Sequence, residues 1–320
     1  MKRIYFFIVA ISACASVARA QTDDAMLSQY FAALNYYNPA YAGKSGELNT
    51  MALYRMQWLG VTNAPRSICV AADMPWKYGK IQQGIGIVVV SDKLGLDENL
   101  SAGVQYAYKR KLGKGTLGIG LQAGILNKVF RGDSINIPSG SEIVTPDDEA
   151  LPQTELDAMG IDMTAGIMYY GDRYFVGIGS AHLTAPTLNL DENTERKIER
   201  TYNLTAGYNM QLKNTLLELQ PSVLVLTNLQ MVSADVTARA VYNKMYNGGL
   251  GLRISDNGKL NSATLYLGAF IKGFRVGYAF EFPTSAMNAS AGSHEFAVSY
   301  HLKLNNRKGL KNKHKSIRIL

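Results

Sequence analysis

The sequence has few cysteines, few tryptophans and no long apolar run. Its 320 residues include two Cys and two Trp, and 18% of them are charged. Because no stretch of about 18 apolar residues occurs, a polytopic helical membrane protein is excluded. Two cysteines cannot build a disulfide-stabilised scaffold. A hydrophobic content of 47% with only nine prolines excludes a disordered chain.

Positive charge is concentrated at the two ends of the chain. The net charge is +8, but three basic residues lie in the first twenty positions and six in the last sixteen, where there are no acids. Residues 21–304 therefore carry a net charge of −1. A nucleic-acid-binding protein needs a basic face on its folded part. We therefore expect no nucleic acid among the partners.

The N-terminus has the features of an export signal. Two basic residues precede the apolar residues 4–11, and Ala18-Arg19-Ala20 fits a signal-peptidase site. Residues 1–20 are therefore predicted to be a signal peptide that is removed on export. Lipoprotein processing is the alternative, because a lipobox-like sequence ends at Cys14.

The dominant pattern from residue 48 onward alternates apolar residues with small or polar ones. Leu100 and Val104, for example, alternate with Gly103 and Gln105. Successive side chains of a strand point to opposite faces, so this repeat predicts strands with one apolar face and one different face. The second face is rich in Gly, Asn and Gln with isolated charges, whereas a soluble sandwich exposes many Lys, Glu and Thr. Such a face is typical of the interior of a transmembrane barrel.

The strand pattern predicts an all-β fold, a transmembrane antiparallel β-barrel of about 14 strands. The predicted strands are residues 48–58, 66–74, 83–90, 98–112, 115–129, 158–171, 173–181, 200–213, 215–227, 235–246, 248–255, 262–271, 273–282 and 293–304. Tight turns follow the even-numbered strands, and longer connections follow the odd-numbered ones, notably residues 130–157 and 182–199. In bacterial outer-membrane barrels the termini and short turns are periplasmic and the long loops extracellular. The barrel is predicted at residues 47–304, between a non-strand segment at 21–46 and a basic tail at 305–320.

The segment before the first strand carries a distinctive motif. It contains Ser28-Gln29-Tyr30-Phe31, followed by Asn35-Tyr36-Tyr37-Asn38-Pro39-Ala40-Tyr41-Ala42-Gly43. Together with residues such as Arg55 and Asp73, it resembles the opening of the PorP/SprF family of type IX secretion system outer-membrane proteins from Bacteroidetes. The resemblance is good to about Ser180 and continues beyond it as strand pattern and length.

The resemblance implies a non-enzymatic component of the type IX secretion machinery. One implied role is to anchor the periplasmic ring through a ring lipoprotein or a peptidoglycan-linked partner. The other is to hold a secreted adhesin by its C-terminal domain at the cell surface, a role connected with gliding motility. A passive outer-membrane solute channel or transporter is the alternative from a different class. That alternative needs an open lumen, whereas the family signature predicts an obstructed one.

The N-terminal motif is predicted to fold into the barrel mouth or lumen as a short plug. Proline bars the helical region to the residue before it, so Asn38-Pro39 forces an extended or turn conformation. Gly43 can adopt positive φ where the chain turns into the first strand. A periplasmic strap beneath the barrel is the alternative. The signature residues assigned to this segment are Ser28, Gln29, Tyr30, Tyr37, Asn38, Pro39, Ala40 and Gly43.

Alternation places seven charged side chains on the inward face, where they line an aqueous channel or pair across a filled interior. They are Lys109, Asp162, Glu218, Arg239, Arg275, Glu281 and Glu295. The basic tail is expected to contact acidic periplasmic partners or anionic lipid of the outer membrane, or else to form a frayed soluble end. Its charged residues are Arg307, Lys308, Lys311, Lys313, Lys315 and Arg318.

No residues combine into a recognisable catalytic or metal site. The histidines, at positions 182, 294, 301 and 314, lack metal-ligand spacing and a nearby acidic cluster. No Ser/His/Asp or Cys/His arrangement can be assembled, and no glycine-rich loop precedes a helix. We therefore expect no cofactor, no metal and no enzymatic activity.

Overall fold

A computed structural model describes residues 24–79, 81–132, 154–191, 194–213, 216–255, 258–284 and 290–303. Fourteen antiparallel strands form one closed sheet in these ranges, each paired with its neighbours along the chain. The first strand, β1 (Leu48–Met56), closes the barrel by pairing with the last, β17 (Ser293–Leu302), so that Tyr54 lies opposite Phe296. The prediction of a closed barrel of fourteen antiparallel strands is confirmed.

Seventeen strands are numbered in chain order, because the barrel is accompanied by a small hairpin and one barrel strand is interrupted. The strands are β1 (Leu48–Met56), β2 (Arg66–Tyr78), β3 (Ile81–Leu94), β4 (Asp97–Leu112), β5 (Gly115–Arg131), β6 (Glu155–Tyr170), β7 (Tyr174–Ala181), β8 (Thr187–Asp191), β9 (Thr194–Lys197), β10 (Thr201–Tyr208), β11 (Met210–Gln211), β12 (Leu217–Thr227), β13 (Val232–Tyr242), β14 (Tyr246–Ser255), β15 (Lys259–Ile271), β16 (Phe274–Pro283) and β17 (Ser293–Leu302). Strands β8 and β9 form the separate hairpin, and β11 continues β10.

Three short helical turns precede the barrel. They are a 3₁₀ turn at Tyr30–Ala32, one α-helical turn at Leu34–Tyr37 and a 3₁₀ turn at Pro39–Tyr41. The Asn38 side chain caps the last turn by accepting a hydrogen bond from the backbone N–H of Ala40, at 2.9 Å. Among the described residues, no helix has the length and apolar character needed to cross a bilayer.

The connections between strands differ between the two ends of the barrel, with two departures from the prediction. One end carries tight turns after β2, β4, β6, β13 and β15 and is called the tight-turn end; the other is the long-loop end. At the long-loop end, β3 and β4 are joined by only Gly95 and Leu96, where a loop over residues 91–97 was predicted. Gly95 has φ +64°, which a two-residue turn requires and which glycine adopts at little cost. The second departure is the β8–β9 hairpin, within a connection predicted to be a loop.

The outward face of the barrel is apolar. Val104, Ile161, Ile178 and Leu250 are between 62% and 71% exposed, far more than folded proteins usually leave large aliphatic side chains. Exposed aromatic side chains accompany them near the tight-turn end: Trp76, Tyr208, Tyr242, Tyr246 and Phe274. An apolar band with an aromatic girdle is what a barrel presents to a bilayer and its interface.

The buried core lies inside the barrel. One cluster joins Leu27 and Ala33, which precede the barrel, to Leu53 and Cys69 on the inward faces of β1 and β2. A second joins residues such as Tyr30 and Leu34 to apolar side chains of β12. The inward face is therefore not uniformly polar, because it carries apolar patches where residues 24–43 pack against it.

Candidate functional site

Residues 24–43, called the N-terminal segment, run through the lumen from the level of His182 and Asp162 to the tight-turn end. Asp24 contacts His182, which follows β7 at the long-loop end. Gly43 donates its backbone N–H to Asp73 of β2, at 2.7 Å, close to where the chain enters β1 at the tight-turn end. The segment is surrounded by strands, since it also contacts β5, β6, β12, β16 and β17.

Glycines on the inward face bring the strands close to the backbone of this segment. A Cβ added at Gly179 of β7 would lie 2.7 Å from the carbonyl oxygen of Tyr37, and one added at Gly120 of β5 would collide with the backbone of Ala40. Similar collisions would occur at Gly84 of β3, Gly166 of β6 and Gly277 of β16. The glycine-rich face is thus the surface on which the N-terminal segment packs, a role that the sequence pattern alone did not reveal.

A buried charge cluster at mid-lumen holds the first part of the segment. The Glu295 carboxylate accepts backbone N–H bonds from Ser28, at 2.7 Å, and from Gln29, at 2.6 Å. The Ser28 hydroxyl donates to Glu281 at 2.7 Å and accepts from Arg55 Nη1 at 2.5 Å. Tyr266 adds a bond to the Ser28 carbonyl. Charge-assisted bonds of this kind are about twice as strong as neutral ones.

The same cluster pairs its own charges. Arg55 is 2.9 Å from Glu281 and 3.3 Å from Glu295. Arg253 forms a bidentate pair with Asp235, at 2.7 and 2.9 Å, and lies 3.5 Å from Glu281. Three carboxylates thus face two guanidinium groups. The excess negative charge is offset at Glu295, which also accepts hydrogen bonds from the two backbone N–H groups of the segment. Buried carboxylates need such partners, so the segment completes the cluster electrostatically.

The long-loop end of the lumen has a second charge cluster. Asp24 lies 2.8 Å from Nε2 of His182 and accepts a hydrogen bond from Thr201 at 2.6 Å. The Nδ1 atom of His182 is 2.9 Å from Asp162 of β6, a charge contact rather than an aligned hydrogen bond. Burial opposes protonation of His182, but Asp24 and Asp162 outweigh it and raise the pKa of the imidazole to about 10.

The pKa of Asp24 is correspondingly lowered. Burial acts in the opposite direction, yet the charge of His182 and the hydrogen bonds from His182 and Thr201 outweigh it. His182 is therefore a cation and Asp24 an anion at neutral pH. This pair fastens the start of the N-terminal segment to the wall of the barrel.

The long-loop end is nearly filled, whereas the tight-turn end is not. Leu188 of β8 and Ile198, which follows β9, pack onto Leu126 at the long-loop mouth, and the cavity beside Asp24 measures about 70 Å³. At the tight-turn end, cavities of about 450 and 410 Å³ adjoin Lys44. The N-terminal segment and the β8–β9 hairpin therefore occupy most of the lumen toward the long-loop end.

The structure places the predicted signature residues in three groups. Ser28 and Gln29 contact Glu295, and the Tyr30 hydroxyl lies 2.9 Å from the Ser222 hydroxyl of β12. Asn38 bonds the carbonyls of Ile167 and Ile178 on neighbouring strands, at 3.1 and 3.2 Å. Tyr37, Pro39 and Ala40 are buried, and Gly43 bonds Asp73.

The seven charged residues predicted to face inward do not form one group. Glu281 and Glu295 belong to the mid-lumen cluster, and Asp162 to the long-loop cluster. Arg239, Arg275 and Lys109 line the tight-turn cavities. Glu218 lies on β12 two residues from Gln220, which pairs with Arg239, and has no ion pair among the described residues. The basic tail and the predicted signal peptide lie outside the described residues.

Several residues of these clusters were not singled out as lumen charges from the sequence. Arg253 and Asp235 sit on alternating positions of β14 and β13, so the inward rule applied to those strands would have found them. Asp24 and His182 lie outside any alternating strand, and no sequence signal brings them together. Within the described ranges, no group of three or more His, Cys, Asp or Glu side chains is arranged to hold a metal ion.

Solved structures similar to this chain are outer-membrane barrels. The Ralstonia pickettii toluene transporter TbuX has a TM-score of 0.50 at 14% identity, covering 91% of this chain and 97% of TbuX. The Acinetobacter baumannii protein Omp33 has a TM-score of 0.45 at 6% identity, covering 81% and 98%. A Pseudomonas aeruginosa FadL homologue has a TM-score of 0.44 at 10% identity, covering 80% and 89%. At these identities the likeness to TbuX supports the barrel fold alone.

Sequence comparison identifies the family. No curated protein matches the chain. The family described as "Type IX secretion system membrane protein PorP/SprF" matches residues 19–300, which span nearly the whole barrel and the N-terminal segment. With the barrel fold, this match indicates an outer-membrane protein. The chain belongs to the PorP/SprF family of type IX secretion system membrane proteins.

Proposed function

We propose that this protein is a non-enzymatic outer-membrane component of the type IX secretion system that works as a closed docking barrel. The observation that carries the proposal is the packing of the N-terminal segment directly on inward glycines and buried carboxylates. A conduit for solute or cargo needs continuous space, whereas this segment acts as a plug. The protein then serves through its surfaces, not through its lumen.

The orientation proposed is that of other bacterial barrels, with the tight-turn end and the C-terminal tail in the periplasm and the long loops outside. Two roles fit a closed barrel in this orientation. At the periplasmic end it would anchor the secretion ring, through a ring lipoprotein or a peptidoglycan-linked partner. At the outer end it would retain a secreted adhesin by its C-terminal domain.

The plug is tested by crosslinking within the lumen. A Cβ at Gly166 would lie 2.7 Å from Cγ of Asn38, so cysteines at these two positions are close enough for a disulfide. We expect Asn38→Cys with Gly166→Cys, in a Cys69→Ala background, to crosslink on mild oxidation in outer membranes. The control pair is Asn38→Cys with Gly248→Cys, because Gly248 on β14 has no part of the segment within 4 Å of its added Cβ. If the Asn38→Cys, Gly166→Cys pair forms no more crosslink than the control pair, the lumenal plug is contradicted.

Conductance separates the docking barrel from the solute channel. We expect the purified protein to show no large steady conductance in planar bilayers. A large, ungated conductance of the unmodified protein would support the passive channel instead. A large conductance that appears only in a variant lacking residues 24–43 would support the plug.

The two docking roles are separated in cells. The secreted and surface proteomes of a parent strain and a clean deletion are compared, with the gene restored in trans as the control. Loss of every type IX cargo indicates a ring-anchoring part. Loss of one adhesin alone indicates that adhesin's dedicated partner. Unchanged proteomes would contradict a part in secretion.

A further inference from the structure

The tight-turn mouth of the lumen contains a vestibule that the N-terminal segment leaves unfilled. Its two cavities, of about 450 and 410 Å³, meet at Lys44, which lines both. Arg239 and Arg275 line the larger cavity and Lys109 the smaller one. Volumes in this range accommodate small ligands or a few residues of peptide.

The cations of this vestibule lack carboxylate partners. Among the described residues, none of Lys44, Lys109, Arg239 and Arg275 has a carboxylate oxygen within 4.0 Å. The buried carboxylate nearby, Asp73, already accepts bonds from Gly43 N–H and Asn49. Asp172 also lines the larger cavity, but it is exposed on a turn. The vestibule therefore carries a local excess of positive charge.

Individual donors in the vestibule are buried and unsatisfied. Lys109 is 5% exposed, and its Nζ has no hydrogen-bond partner among the described residues. Nε of Arg239 is likewise buried without a partner, although its Nη2 donates to Gln220 Oε1 at 3.1 Å and the guanidinium stacks 3.5 Å from the centroid of the Phe31 ring. Lys44 is half-buried, with its Nζ over the rings of Tyr41, Tyr170 and Phe175, and burial lowers its pKa to about 8. Buried charged donors without partners are costly, and a bound anion would remove that cost.

The surroundings of these cations suit a peptide better than a lipid. The larger cavity lies inside the closed sheet, and polar side chains contribute more of its lining than apolar ones. The amide side chains of Asn209 and Asn247 line the larger cavity and can pair with a peptide backbone. The chain's own tail is excluded as occupant, because its six charged residues are all basic.

We propose that this vestibule binds a short acidic peptide segment of a periplasmic partner protein, with Arg239, Arg275, Lys44 and Lys109 receiving its carboxylates. The proposal rests on the proposed function for the compartment that the vestibule faces. Carboxylates are planar and pair with guanidinium groups in a bidentate geometry. The ammonium groups of Lys44 and Lys109 would contribute further positive charge.

The test measures binding of a fluorescein-labelled Asp/Glu hexapeptide to the full-length barrel in detergent micelles by fluorescence anisotropy. We expect saturable binding that weakens as NaCl is raised, because part of the vestibule is open to solvent. The matched Asn/Gln hexapeptide is expected to bind at least about tenfold more weakly, since it cannot form charge-assisted bonds.

Variants locate the site. Arg239→Gln with Arg275→Gln is expected to weaken binding of the acidic peptide about tenfold or more. The control is Arg110→Gln with Lys272→Gln, which removes two exposed charges near the same end of the barrel and is expected to leave affinity unchanged. Heat-modifiable mobility on gels confirms that each variant is folded. If the double variant fails to fold, Arg275→Gln alone is measured, since Arg275 is exposed at the mouth.

Competition distinguishes the peptide from other anions. Inorganic phosphate and vesicles containing lipid A are added to the labelled peptide complex. The peptide proposal would be overturned if millimolar phosphate or lipid A displaces the peptide and both variant pairs lose the same affinity for it. Absence of peptide binding would overturn it too. Neither result depends on secretion, so the proteome comparison still tests the proposed function separately.

Discussion

Halfway along the lumen, Arg55 and Arg253 face three carboxylates, whereas at the tight-turn mouth Arg239 and Arg275 face none among the described residues. The first region is packed against the N-terminal segment, and the second opens onto a cavity of about 450 Å³. Paired charges at mid-lumen hold a segment of the same chain in place. Unpaired charges at the mouth are what a site for an external anion requires. The contrast separates what stabilises this barrel from what it offers to a partner.

The largest loss of stability is expected when a side chain displaces the N-terminal segment from the inward glycines. Gly120→Ala places a Cβ against the backbone of Ala40, where neither side can move easily. We expect a loss of more than about 3 kcal/mol in the free energy of unfolding. Urea unfolding in micelles, followed by Trp fluorescence, measures it. Gly248→Ala is the control, since its added Cβ meets nothing closer than 3.7 Å. Equal effects of the two substitutions would contradict close packing at Gly120.

A smaller effect is expected from removing one charge of the mid-lumen cluster. Glu295→Gln keeps the side-chain shape but weakens the bonds from Ser28 and Gln29 and leaves Arg55 with a single carboxylate. We expect a loss of about 2–3 kcal/mol in the same unfolding measurement. Glu218→Gln is the matched control, because Glu218 has no ion pair among the described residues. A similar loss from both would show that inward charge, not pairing, matters.

The Asp24–His182 pair predicts a pH dependence. The pKa of His182 is raised to about 10, so its contribution to stability is complete below its ordinary pKa of about 6.5 and is lost as pH rises through about 10. The pKa of Asp24 is lowered, so its contribution is lost as pH falls below its ordinary range.

His182→Asn is expected to remove the alkaline part of this dependence and about 2 kcal/mol of stability at neutral pH. The measurement is the thermal midpoint of the barrel in micelles between pH 6 and pH 11. His301→Asn serves as the control, because His301 lies at the tight-turn end without an ion pair among the described residues. If the thermal midpoint of His182→Asn falls at alkaline pH as steeply as that of the unmodified protein, the Asp24–His182 pair is not the cause of the alkaline loss of stability.

The smallest effect on stability is expected at the tight-turn mouth. Arg239→Gln with Arg275→Gln removes cations without carboxylate partners but also the contact of Arg239 with the Phe31 ring, so we expect a loss of stability of no more than about 1 kcal/mol. The unfolding measurement used for Glu295→Gln gives the direct contrast. A loss as large as that of Glu295→Gln would mean that these arginines support the fold rather than a ligand.

The fold was largely predictable from the sequence because the two faces of each strand differ in composition. Leu100 and Val104 against Gly103 and Gln105 set the strand and its orientation, and fourteen such strands close the barrel. The β3–β4 turn was missed because residues 91–97 do not alternate clearly. The β8–β9 hairpin was missed because strands of four or five residues carry too little periodicity.

The candidate site was predictable only in part. The inward positions of Glu281 and Arg239 follow from alternation, but their partners come from strands far apart in the chain. Whether an inward charge is paired depends on the barrel register and on the path of the N-terminal segment, and neither is encoded locally. The inward glycines illustrate the same point, because an empty channel and a packed segment both favour them.

The passage of residues 24–43 through a ring that β1 and β17 close has a consequence for assembly. A finished barrel has no opening in its wall, so the segment reaches its place either before β1 and β17 pair or by entering end-first through a mouth of the barrel. Ser28 bonds to Glu281 and Glu295 on the final two strands, so the same contacts that hold the thread also draw the seam shut. The sheet thus encloses its own beginning, and a bulky domain fused ahead of Asp24 would obstruct either route.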